Sequence, residues 1–83
     1  MRWPEWWSWE LEFTSHLLKR MADRQFSEVD LRAMLENATG YHENYEEGRF
    51  VVGTRHDDRA WAVIVEPSPE ERALVVVTAY PLE

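Results

Sequence analysis

The chain has 83 residues, 45% hydrophobic and 30% charged, with 16 acidic against 9 basic side chains and a net charge of −7. That length allows a single hydrophobic core, and the charge argues against a general nucleic-acid coat protein, which needs a basic face to release counterions. With no cysteine in the chain, disulfides and thiolate metal sites are excluded.

No apolar run is long enough to cross a bilayer, and Met1–Trp9 carries aromatics but no apolar stretch of signal-peptide type. The expectation is a soluble, cytoplasmic protein without a membrane partner. A local basic cluster can still act on a phosphate, because at physiological salt charges more than about 8 Å away are largely screened.

The N-terminus is unusual. Trp3, Trp6, Trp7 and Trp9, four of the five tryptophans, fall in the first nine residues. Pro4 and Glu5 suit the opening of a short helical turn. Trp9, Leu11 and Phe13 then alternate with Glu10 and Glu12, the pattern of a half-buried strand. We divide the chain into a Trp-rich segment, residues 1–8, and a folded domain, residues 9–83.

Thr14 or Ser15 can cap a helix running to Arg24. Leu17, Leu18, Met21 and Ala22 share one side of it at helical spacing. Ser27, followed three residues later by Asp30, resembles a capping box. It opens a second helix over 28–38, with Leu31, Met34, Leu35 and Ala38 on one face and Gly40 ending it.

Residues 41–47 read as a polar, acidic loop. Beyond Gly48 the period becomes two. Phe50, Val52 and Thr54 alternate with Arg49, Val51 and Arg55. The turn His56-Asp57-Asp58-Arg59 leads to Trp61, Val63 and Val65 on one face, with Ala62 and Ile64 on the other. Pro67 to Glu71 makes a second turn. Leu74 to Tyr80 is a β-branched run, apolar on both faces, as a covered strand requires, and Pro81 stops it. The fold class expected is α+β, in the order strand-helix-helix-strand-strand-strand, with two helices on one face of an antiparallel sheet.

The most suggestive chemistry is on the first helix. His16, Arg20 and Arg24 fall at roughly 0°, 40° and 80° around its axis, one stripe beside the apolar face. A histidine titrating near neutrality can shuttle a proton, and guanidinium groups grip phosphate with two N–H bonds. The same stripe also reads as a solvated face, with Arg20 and Arg24 paired to Asp23 and Glu28. Arg49, Arg55, Thr78 and Tyr80 on the strands could complete an anion site, or could be ordinary surface and core-edge residues. His42, His56, Asp57 and Asp58 match no metal-ligand spacing and read as turn residues. No metal or cofactor is expected. The tryptophan cluster covers the domain's own core, docks a partner such as a second copy in a homodimer, or touches a membrane surface, the last opposed by the surrounding acids, with only Arg2 to supply positive charge.

The stretches SHLLKRMADRQFSEVDLRAMLENA, GRFVVGTRH, AWAVIVEP and LVVVTAYP together resemble a family of small prokaryotic domains of unknown function related to the RelE and BrnT toxins. The shared pattern is His16 opening the first helix, Arg20 and Arg24 one and two turns later, Phe26-Ser27 before the second helix, and Val75 to Pro81 as the last strand. The resemblance covers residues 9–81. It implies a RelE-like fold and metal-independent cleavage of RNA by a toxin that a cognate antitoxin protein neutralises. Carried over, His16 is the acid/base, Arg20, Arg24 and Arg55 hold the scissile phosphate, and Tyr80 assists. Active toxins of this type are basic whereas this chain is acidic, so a second expectation stands beside the endoribonuclease: a non-catalytic protein-interaction module on the same fold.

Overall fold

Five strands and two helices account for most of the chain in the computed structural model, which describes residues 3–82. A 3₁₀ turn, Glu5–Ser8, leads into β1 (Glu10–Phe13). Then come α1 (Ser15–Arg24), α2 (Glu28–Glu36), β2 (Gly40–Glu43), β3 (Phe50–His56), β4 (Arg59–Ser68) and β5 (Ala73–Pro81). The strands form one sheet in the order β1-β5-β4-β3-β2. Among the described residues no helix is long and apolar enough to cross a membrane.

Two expectations are corrected. The sheet is mixed rather than antiparallel: β2, β3, β4 and β5 pair as antiparallel neighbours, but β1 runs parallel to β5, Glu10 opposite Ala73 through Phe13 opposite Val76. Hairpin turns reveal the direction of consecutive strands only, and the partner of β1 lies some sixty residues away in the chain. The second correction is an extra strand. Residues 40–43 belong to β2 and not to a loop, because β3 supplies a hydrogen-bonding edge from Gly53 to Phe50. Gly40 therefore opens a strand, and α2 ends earlier than expected, with Asn37 as its cap.

The alternating pattern of β3 and β4 is realised in the structure. Val52, Trp61, Val63, Val65, Leu74, Val76 and Ala79 are buried beneath the helices, and Phe26 meets Trp61 edge-on at 5.3 Å. Among the described residues the opposite face of the sheet carries no helix; Val51, Ala62, Ile64 and Tyr80 occupy it by register. Between Ile64 and Val65 the β4–β5 ladder slips by one residue, leaving Val77 unpaired as a bulge.

Each helix is held by its ends. Thr14 Oγ1 accepts the Leu17 N–H at the start of α1, and Gln25, at φ 57°, closes it in the left-handed conformation. Only Leu17 of α1 is fully buried; Leu18 is 53% exposed and Ala22 is exposed, so its buried stripe is narrower than the sequence pattern suggests. Ser27 and Asp30 form a reciprocal capping box on α2. The Ser27 N–H holds the Asp30 carboxyl below its ordinary value of 3.8. That contribution is complete above the ordinary value and is lost as pH falls through the lowered one.

At its other end, α2 presents carbonyls with no partner inside the helix. One of them, on Met34, would be buried and unsatisfied without the hydroxyl of buried Thr54, which donates to it from β3. Replacing Thr54 by valine keeps the shape and removes the donor. We expect a loss of about 1–3 kcal/mol, read as a lower melting temperature with unchanged secondary structure; an unaltered transition would refute this role.

The tryptophans pack within the chain. Trp3 stacks on Trp7 at 4.3 Å, and Trp6 lies 5.0 Å from Phe50 and 5.7 Å from Tyr41. Trp6, Trp7 and Trp9 are half-buried against the main core. The combined change Trp6→Ala/Trp7→Ala should destabilise the fold by about 2–4 kcal/mol. Thermal unfolding checks this, and an unchanged melting temperature would refute the packing role.

Candidate functional site

The stripe on α1 is real, but it turns as it runs. Leu17 marks the direction of the sheet at roughly 100° from His16, and each four-residue step advances by about 40°. His16 is therefore exposed, the Arg20 side chain is 38% exposed, and Arg24, itself still exposed, comes within about 20° of the Leu17 direction.

Arg24 consequently reaches the sheet. Its Nη1 donates to the Ala79 carbonyl at 2.7 Å, on the side of β5 that β1 leaves uncovered once it ends at Phe13. An unpaired strand edge invites pairing with another chain, and here a guanidinium and the Thr14 hydroxyl, donating to Val77 O at 2.9 Å, block it. Arg20 forms only a loose pair with Asp23, at 3.5 Å on the surface.

Arg55 and Tyr80 lie elsewhere. Thr54 faces the helices, so its neighbour Arg55 faces the other way, where Nη2 donates to the Asp58 carbonyl at 2.8 Å. That bond braces the β3–β4 hairpin, in which Asp57 and Asp58 both take positive φ, 53° and 61°, as a two-residue turn of this hand requires. Tyr80 pairs with Ala62, also facing away from the helices, and lines an open trough with His42, Val51, Gly53, Ala62 and Leu82. Of the five candidates, His16, Arg20 and Arg24 share one side of α1; Arg55 and Tyr80 are on the far face of the sheet.

Arg49 is on that far face as well. Its guanidinium spans Glu66 at 2.9 Å and Glu46 at 3.2 Å, and the Glu66 bond raises its pKa further. The trough around Tyr80 was not foreseen from the sequence, because it needs Gly40 and His42 on a strand. The signal available was the pair Gly40 and Gly53, which sit opposite each other and both line the trough.

Residues 13–81, a span holding all five candidates, match the model of a domain of unknown function, DUF4258. The chain belongs to the DUF4258 family. Among curated proteins and among solved structures, nothing matches. The match begins at Phe13, so this DUF4258 domain takes in both helices and strands β2 to β5, while the 3₁₀ turn and most of β1 precede it.

The two arginines of α1 should behave differently on removal. Arg24→Ala leaves the Ala79 carbonyl without its charged donor and should lower stability by about 1 kcal/mol. Arg20→Ala breaks only a surface pair and should stay within about 0.5 kcal/mol of the wild type. Denaturant unfolding of both variants checks this; equal effects would mean that Arg24 has no bracing role.

Proposed function

We propose that this DUF4258 domain is a RelE/BrnT-like scaffold working as a non-catalytic protein-interaction module. The observation that carries this reading is the dispersal of the candidate groups. Cleavage of a phosphodiester needs donors converging on one phosphate. Here Arg24 and Arg55 each hold a backbone carbonyl of their own chain, and Arg55 and Tyr80 face away from α1. The tryptophans already pack within one chain, which favours a different protein over a second copy as the partner. The surplus of acidic residues, 16 against 9, fits a basic protein better than RNA.

A second reading has one observation in its favour. His16, Arg20 and Arg24 still lie along one side of α1, and the surface pair of Arg20 with Asp23, worth at most about 1 kcal/mol, would yield readily to a phosphate. On that reading the domain is a metal-independent endoribonuclease toxin, RNA is its substrate and an antitoxin protein its neutralising partner.

Induced expression, with growth and transcript integrity followed for wild type beside His16→Ala, separates the two. We expect neither protein to slow growth or fragment transcripts. Fragmentation by the wild type that disappears in His16→Ala would overturn the module reading and establish the nuclease.

A further inference from the structure

A cavity of about 220 Å³ lies between the N-terminal segment and α2. Trp7 and Trp9 form its walls, Leu35 and Leu74 line it, and Arg32 and Glu36 stand at its rim one helical turn apart. Each indole already has one face in use. Trp3 stacks on Trp7 at 4.3 Å, and the Arg72 guanidinium sits 5.3 Å from the centre of the Trp9 ring. The Arg72 contact shows that the electron-rich face of Trp9 accepts a cation in this fold.

The charges at the rim are not balanced. Arg32 turns its Nε and Nη2 onto Glu28 Oε2, at 2.9 and 2.8 Å, so its charge is neutralised within the helix. The Glu36 side chain, exposed at the rim, has among the described residues neither an ion-pair partner nor a hydrogen bond. What remains is a pair of indoles, an aliphatic lining and one uncompensated carboxylate. Ring faces attract cations, an apolar lining takes methyl or methylene groups, and a carboxylate supplies the counter-charge.

We propose that this cavity binds a small organic cation, an ammonium group on a short apolar body, between Trp7 and Trp9 with Glu36 as its counter-ion. An anion would meet Glu36 and would have to draw Arg32 from its 2.8 Å contact with Glu28, and a neutral ligand would gain nothing from the carboxylate. The volume suits a group the size of a trimethylammonium with a short tail, and is small for drug-sized ligands, whose pockets run to about 300–1,000 Å³.

The test is an NMR titration of the full chain, following the indole N–H resonances of Trp7 and Trp9. Choline is the probe, 3,3-dimethylbutan-1-ol its neutral isostere and 3,3-dimethylbutanoate its anionic counterpart. Choline should give saturable shifts, the two analogues none. Glu36→Gln, an exposed change expected to leave the melting temperature unaltered, should weaken choline binding about fivefold or more. Absence of saturation by choline, equal binding of the alcohol or the carboxylate, or undiminished binding by Glu36→Gln would each overturn the proposal. A lysine-containing peptide that shifts the same resonances at lower concentration than choline would overturn the small-molecule assignment in favour of a partner's side chain.

Discussion

Thr14 is the point on which the arrangement of the helices depends. Its backbone N–H reaches the Val76 carbonyl at 3.3 Å and so extends the parallel β1–β5 pairing by one rung. Its hydroxyl caps α1 by accepting from Leu17 and donates to Val77 O. One residue therefore ends a strand, starts a helix and blocks part of a strand edge. It fixes where α1 leaves the sheet, and the ten-residue length of α1 then determines that its last turn returns to β5 near Ala79. Arg24 is in that last turn. Its bond to the Ala79 carbonyl follows from the starting point that Thr14 imposes and from the advance of about 100° per residue.

This bears on how a conspicuous sequence pattern should be weighed. Basic residues at four-residue intervals suggest a common ligand only if the helix presents them to the same surroundings. Four residues are not a whole number of turns, so the stripe winds from solvent at His16 to the strand edge at Arg24. The same side chains that could hold a phosphate in isolation are divided here between solvent and a structural carbonyl.

What was legible in the sequence, and what was not, follows the range of the interactions. The capping box of Ser27 and Asp30, the start of α1 to within one residue at Thr14 or Ser15, the alternation of Phe50, Val52 and Thr54, and the Asp57-Asp58 turn are set by near neighbours, and all could be read directly. The direction of β1 could not, because its pairing with β5 spans the whole domain and no turn encodes it. Nor could β2: a four-residue strand with only Tyr41 facing the core carries too little alternation to stand out from a polar loop, and its existence depends on the edge offered by β3. For the candidate site, the sequence located His16, Arg20 and Arg24 on one helix. The outward facing of Arg55 follows from the same alternation that buries Thr54, whereas Tyr80 faces away because the bulge at Val77 shifts the parity of β5 by one residue, which no local pattern announces.

The N-terminal aromatics add a layer to this domain rather than extending its sheet alone. The residues that match DUF4258 begin at Phe13, yet Trp6 packs on Phe50 and Tyr41, and Trp7 and Trp9 close a cavity against α2. One wall of that cavity, with Arg32, Leu35 and Glu36, belongs to the shared domain, and the other precedes it. Each tryptophan can bring about 150–250 Å² of apolar surface to such a contact, a substantial contribution when the whole protein exposes only 5532 Å². The same residues therefore serve two physical ends, shielding the helix-covered core at its open end and shaping a recess whose chemistry the segment before residue 13 determines. A sheet with helices on one face only must cover its open ends by some means, and here the covering is aromatic.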